Sequence, residues 1–125
     1  MTADGYTVAV EAAVVRNGRY LLITRSLEDA YFPGALALPG GTVEATEDGE
    51  WVLEEALRRE VAEETGVIIG QSMAYVQSKV FTLGDGRRVV DVVFLCPYAS
   101  GEARVGDVDE VEAVHWLSAD EVRRH

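Results

Sequence analysis

Three glutamates in the middle of the chain have types and spacing suited to chemistry. In Arg59-Glu60-Val61-Ala62-Glu63-Glu64-Thr65-Gly66-Val67, Glu60, Glu63 and Glu64 fall at i, i+3 and i+4. On a helix they share one face, where like charges repel. At about 100° per residue, Glu64 also falls within the arc of the apolar stripe Leu53, Leu57 and Val61. Carboxylates crowded against a buried face call for a countercharge, and a divalent cation supplies it because hard cations take oxygen ligands. Upstream, Pro39-Gly40-Gly41 offers a backbone able to approach a ligand closely, with a carbonyl available as a further oxygen donor. Arg59 is placed to brace Glu60 or to pair with another acid of the loop. Mg²⁺ held this way keeps waters and binds substrate phosphates, where it activates water toward phosphorus.

The elements that must position these groups follow from the pattern. Residues 6–16 read as a strand, Asn17-Gly18 as a two-residue hairpin turn, and residues 19–25 as the returning strand. Residues 26–35 read as a loop, and Pro39-Gly40-Gly41 as a break after the short apolar run at 36–38. A helix is expected from about Glu50 to Thr65, anchored at its start by Trp51 and stopped by Gly66. Strand segments follow over 67–83, 87–97 and 112–117. Ser118-Ala119-Asp120-Glu121 resembles a capping box opening a last, short helix that has barely begun at His125. One long helix among several hairpins predicts a single α+β domain over residues 1–125 with a mixed sheet.

The totals bound the possibilities. A chain of 125 residues with 48% hydrophobic and 26% charged residues is long enough for one core and fits a globular protein. A net charge of −11 argues against nucleic-acid polymers and anionic membranes as partners. It still admits a small anionic substrate if bound cations invert the local sign. The lone cysteine, Cys96, sits in an apolar strand and predicts a buried reduced thiol and a cytoplasmic setting. Met1 to Gly5 show no basic or apolar signal segment, and no apolar run approaches a membrane span.

At every specified position, residues 59–67 resemble the second half of the box of the Nudix hydrolases, the MutT-like family: G-x5-E-x7-R-E-U-x-E-E-x-G-U, with U a bulky aliphatic residue. Pro39-Gly40-Gly41, Leu21 to Arg25, and Trp116-Leu117 are similar to family features as well. The first half departs. Glu47 follows Gly41 at the family's spacing, but eleven residues rather than seven separate it from Arg59, and with seven residues counted back from Arg59 the box-glutamate position holds Trp51. Glu50, after Gly49, is the alternative equivalent of the box glutamate.

The resemblance implies an α/β/α sandwich with a loop–helix–loop motif and Mg²⁺ or Mn²⁺ as cofactor. It implies hydrolysis of a nucleoside diphosphate linked to another group by water attack on phosphorus, with a nucleoside triphosphate or related nucleotide as the small-molecule substrate. Glu60, Glu63 and Glu64 become metal ligands, with the Gly40 carbonyl beside them and Arg59 holding Glu60. Gly41, Arg25 and Asp91 are candidate substrate contacts. Asp91, a charge inside a strand, is expected either to contact substrate or to pair with an arginine. Glu11 is a similar candidate, and Tyr31 and Phe32 are expected to pack within the loop, with stacking on a base as the alternative. A further acid is expected from Glu102, Asp107, Asp109 or Glu110. His115 is expected to be structural. The proline that marks many ADP-ribose enzymes some fifteen residues past the box is absent, since Thr82 and Leu83 occupy that region. Homodimers are common in the family. The rival reading is a non-catalytic Nudix-fold module that binds a nucleotide or partner, motivated by the irregular first half. An isoprenoid diphosphate isomerase would need a cysteine near the start of the fold, where Cys96 does not lie.

Overall fold

The computed structural model describes residues 5–125; Met1 to Asp4, part of the segment without signal character, lie outside it. The elements are β1 (Thr7–Arg16), β2 (Arg19–Arg25), β3 (Leu36–Ala37), β4 (Gly40–Thr42), α1 (Val52–Thr65), β5 (Ile68–Ile69), β6 (Ala74–Thr82), β7 (Arg88–Ser100), β8 (Val111–Leu117) and α2 (Ala119–Arg124). The α+β class expected from the sequence holds, with a mixed sheet. β1 runs parallel to β7 from Thr7↔Val89 to Val15↔Pro97, and the remaining pairings are antiparallel.

The hairpin forms as its turn residues dictate. Asn17 and Gly18 take φ of 51° and 74°, the positive pair that a twist-matched two-residue turn requires. Yet β1 and β2 stay paired only at Val15↔Tyr20 and Arg16↔Arg19. Beyond that they fork, and residues 36–42 fill the fork. β3 pairs with β2 at Ile23↔Ala37, while β4 pairs with β1 from Ala9↔Thr42 to Glu11↔Gly40. The Ala12 amide donates to the Pro39 carbonyl at 2.9 Å between them.

The expected break after the apolar run falls at Leu38-Pro39, between β3 and β4, but Gly40 and Gly41 are not part of it: they are ladder residues of β4. Their strand conformation comes from the free edge of β1 rather than from propensity, which disfavours glycine in strands. Gly40 is required there, because a Cβ would collide with the Val10 carbonyl oxygen.

Helix α1 packs Ala56, Leu57 and Val61 against Val10, Ala12 and Val14 of β1 and Val92, Phe94 and Cys96 of β7. Cys96 is a free, buried cysteine, as expected, and burial pushes its thiol up to about 11. Gly66 ends the helix in the left-handed region at φ 75°. The start departs from expectation. The helix opens at Val52, and Trp51 precedes it at φ 60° with 71% of its surface exposed, so it anchors nothing. The strands at the C-terminal side also run further than expected, β7 to Ser100 and β8 from Val111. The capping box forms, with the Ser118 hydroxyl and the Glu121 carboxylate satisfying each other's backbone amides.

Candidate active site

The last turns of α1 lie against β4, so the three glutamates meet the two glycines. Glu64 is 7% exposed, and its Oε1 accepts a hydrogen bond from the Gly40 amide at 2.9 Å. Burial pushes its carboxyl up to about 8, against the pull of that amide. Glu60 is raised by burial as well, opposed by Arg59. A Cβ on Gly41 would fall inside the Glu60 carboxylate, so glycine is what lets the strand pass under that side chain. Glu63 is the outermost of the three, with more than half of its side chain exposed.

Arg59 gathers the acids. Its Nη1 lies 2.8 Å from Glu60 Oε1 and 3.4 Å from Glu63 Oε2. Its Nη2 lies 2.8 Å from Glu47 Oε1, and its Nε donates to Glu47 Oε2 at 3.4 Å. Glu44 Oε1 stands at 3.6 Å. The choice between Glu47 and Glu50 is thereby resolved: Glu47 holds the guanidinium with both oxygens. Glu50 is exposed and makes no ion pair among the described residues. Arg59 and its contacts with Glu47, then Glu60, reinforce the charged state of the guanidinium. One cation thus faces Glu44, Glu47, Glu60 and Glu63, and Glu64 lies beyond its reach.

Gly40, Gly41, Glu44, Glu60, Glu63 and Glu64 form one wall of a cleft of about 970 Å³. Arg25, Tyr31, Phe32, Asp107 and Glu110 line it too, which separates Asp107 and Glu110 from Glu102 and Asp109 among the later acids. Glu110 adds to the upward push on Glu64. Arg25 is held by Asp29 Oδ2 at 2.7 and 3.0 Å and lies 6.0 Å over the Phe32 ring. Asp29 also accepts the amides of Tyr31 and Phe32 at 3.0 and 2.8 Å. The sequence reading missed this organising role, although an aspartate followed by residues able to turn back on it is a recognised loop signal.

On the cleft floor sit Glu11, Asp91 and Lys79, the chain's one lysine. The expected pairing of Asp91 with an arginine does not form: Asp91 is 1% exposed, and the side chain it meets is the Glu11 carboxyl. Burial raises both Glu11 and Asp91, and the Asp91 charge raises Glu11 further. His115 Nε2 meets Thr24 Oγ1 at 2.8 Å within the β2–β8 pair, a structural contact away from the cleft.

The profile of the NUDIX domain family matches residues 5–125. The chain belongs to the Nudix hydrolase family. It is 38% identical over 101 residues to an ADP-ribose pyrophosphatase of Methanocaldococcus jannaschii, covering 80% of this chain and 56% of that protein. It is 30% identical over 121 residues to nucleoside triphosphatase NudI of Klebsiella pneumoniae, covering 90% of this chain and 82% of the relative. The crystal structure of a MutT NUDIX hydrolase from Burkholderia pseudomallei superposes with a TM-score of 0.80 at 34% identity, over 94% of this chain and 87% of the other. Within this Nudix frame the irregular half of the box becomes a longer loop between Glu47 and α1, while Arg59 and the Glu60–Glu64 turn stand in register. Among the described residues no helix is long and apolar enough to cross a membrane.

Proposed function

We propose that residues 1–125 act as one catalytic Nudix domain. It would hydrolyse a nucleoside diphosphate linked to a further group, with nucleoside triphosphates or related nucleotides as substrates. The observation that carries this reading is Glu64, a buried carboxyl held by the Gly40 amide at 2.9 Å and pushed up to about 8 by burial. A group so placed gains most from a bound cation. The donor set is carboxylate and carbonyl oxygen, which fits Mg²⁺ or Mn²⁺. Among the described residues no three acidic or imidazole side chains are already grouped as a cage. Mg²⁺ takes one or two carboxylates and completes its shell with water and substrate phosphate.

Glu60, Glu63, Glu64 and the Gly40 carbonyl would hold the ion, with Arg59 positioning Glu60. When bound, the ion supplies charge neutralisation on the anhydride and an acidified water. The chain's own groups then orient that water and accept its proton. The acceptor is one of Glu60, Glu63 and Glu64, or Asp107 or Glu110 across the cleft. As the water oxygen bonds to phosphorus, the P–O bond to the bridging oxygen breaks and the leaving phosphate takes the electron pair. Free, buried Cys96 supports a reducing, cytoplasmic setting as part of the same reading.

Two of the relatives, an ADP-ribose pyrophosphatase and a nucleoside triphosphatase, share this phosphoric anhydride chemistry. The rival reading, a non-catalytic binding module, drew its motive from the irregular box, and the Glu47–Arg59 pair leaves it little support. The test is a nucleotide panel with Mg²⁺, Mn²⁺ or chelator. Phosphate or pyrophosphate release is expected only with metal. Glu63→Gln and Glu64→Gln are expected to cut the rate by about 10²-fold or more with unchanged circular dichroism. A panel without turnover would favour the binding module.

A further inference from the structure

Two side chains at the cleft rim have no part in the hydrolysis described above. Loop 26–35 joins β2 to β3, and its middle reaches the turn at 83–87 between β6 and β7. There the Tyr31 hydroxyl donates to Asp85 Oδ2 at 2.9 Å, joining residues 54 apart in the chain. β1 and β7 lie between β2 and β6 in the sheet, so this bond spans the cleft from one rim to the other. Tyr31 and Phe32 line the cleft from the loop, and Leu83 and Arg87 from the turn. Both ends of the bond are held beforehand. Asp29, its side chain 9% exposed, accepts the Tyr31 and Phe32 amides with one oxygen and Arg25 with the other. Asp85 Oδ1 accepts the Arg87 amide at 2.9 Å, which leaves Oδ2 to meet Tyr31. Turns closed by an aspartate in this way fix where their side chains point.

The bond is also easy to open. Both partners are exposed, so water replaces it at small cost. Arg87 Nε, 3.9 Å from the same Asp85 oxygen, offers Asp85 a partner when Tyr31 leaves. The acidic wall grips the ion and the diphosphate, while the apolar lining of Leu36, Leu38, Phe81 and Val89 suits the group attached to them. We propose that Tyr31 and Asp85 are positioning residues whose bond fastens loop 26–35 as a strap over the part of the substrate that the ion does not hold. This rests on the nucleotide hydrolysis proposed above. The alternative is that Tyr31 acts through its ring alone and the bond to Asp85 is incidental.

The experiment compares the wild type with Tyr31→Phe, Asp85→Ser and the double variant. Tyr31→Phe keeps the ring and removes the hydroxyl. Asp85→Ser keeps an oxygen for the Arg87 amide and is one atom too short for Tyr31. The probes are ATP, GTP and ADP-ribose, with inorganic tripolyphosphate as the probe that lacks a nucleoside, all with Mg²⁺. Calorimetry reads affinity, and steady-state kinetics reads KM and kcat. Each single variant is expected to bind the nucleotides about three- to tenfold more weakly, the scale of one hydrogen bond, and to raise KM as much while kcat holds. The double variant is expected to lose no more than either single one, since both remove the same bond. Tripolyphosphate affinity and Tm are expected to stay at their wild-type values. Wild-type nucleotide affinity in Tyr31→Phe overturns the proposal, as does an additive loss in the double variant or an equal loss for tripolyphosphate. Turnover with a KM that neither variant moves defeats the strap and leaves hydrolysis standing. Coupled losses of nucleotide affinity in a protein that turns over none of the probes uphold the strap and defeat the hydrolytic reading. A wild type that binds none of the four probes sinks both.

Discussion

Arg59 is surrounded by more negative charge than it can balance. Glu47 and Glu60 each have an oxygen 2.8 Å from it, and charge-assisted contacts at that distance are the strong kind. Because Glu47 grips from the loop and Glu60 from the helix, the guanidinium ties the loop to the site. Glu47→Gln is therefore expected to loosen Arg59 and with it Glu60, lowering kcat by about tenfold, the scale of a misplaced positioning group. Glu50→Gln is expected to change nothing measurable. Steady-state kinetics on both variants checks this, and equal losses would move the pairing to Glu50. The three helix glutamates were legible in the sequence because i, i+3, i+4 spacing is a local property. The partner of Arg59 was not, because loop excursion rather than residue count decides which acid returns to the helix. Asp91 was visible as an odd charge in a strand, but its lack of an arginine partner depends on three strands distant in sequence.

At the scale of elements, the site is built where β1 and β2 fork and β4 slides beneath α1. Adjacent glycines there have different duties. A Cβ at Gly40 meets the Val10 backbone, which cannot yield without opening the β1–β4 ladder. A Cβ at Gly41 meets the flexible end of Glu60. Gly40→Ala is expected to destabilise by about 2 kcal/mol or more, a typical overpacking cost. Gly41→Ala is expected to displace the Glu60 carboxylate, lowering kcat while Tm changes little. Thermal melts beside kinetics separate the two, and an inactive but fully stable Gly40→Ala protein would contradict the assignment. The start of α1 carries a different strain, Trp51 at φ 60° and 71% exposed. Left-handed backbone costs a residue with a Cβ about 1 kcal/mol, so Trp51→Gly is expected to raise stability by about 0.5–1 kcal/mol, read from urea midpoints. A lower midpoint would mean that the indole packs on something. The hairpin and the helix body were legible because turn chemistry and apolar period act locally. β4 was hidden because its conformation is imposed by the edge it joins, and glycine gives no pattern of its own.

For the whole molecule, a net charge of −11 is concentrated in part on carboxyls that folding takes out of water. Glu64 rises from 4.5 to about 8 through burial, and Glu60 and Glu11 shift the same way. A carboxyl raised in the folded state binds its proton more tightly there than in the unfolded chain. The stability it contributes is fully present below pH 4.5 and is lost as pH rises through its folded value. The lowered carboxyls, Asp29, Glu47, Asp85 and Glu121, act in the opposite sense below their ordinary values, outside this window. Metal-free protein is therefore expected to lose stability between pH 5 and pH 8, with Glu64 contributing at most about 5 kcal/mol at 1.36 kcal/mol per pH unit. Glu64→Gln keeps an acceptor for the Gly40 amide and cannot ionise, so its stability profile is expected to be flatter. Millimolar Mg²⁺ is expected to raise the wild-type midpoint at pH 8 by mass action and to raise the pH 5 midpoint less, because Glu64, raised to about 8, is protonated there and does not hold the ion. Urea denaturation in chelator at both pH values measures the slope. A wild-type profile that is flat, or that Glu64→Gln leaves unaltered, would remove buried Glu64 as the group through which charge, fold and metal are coupled.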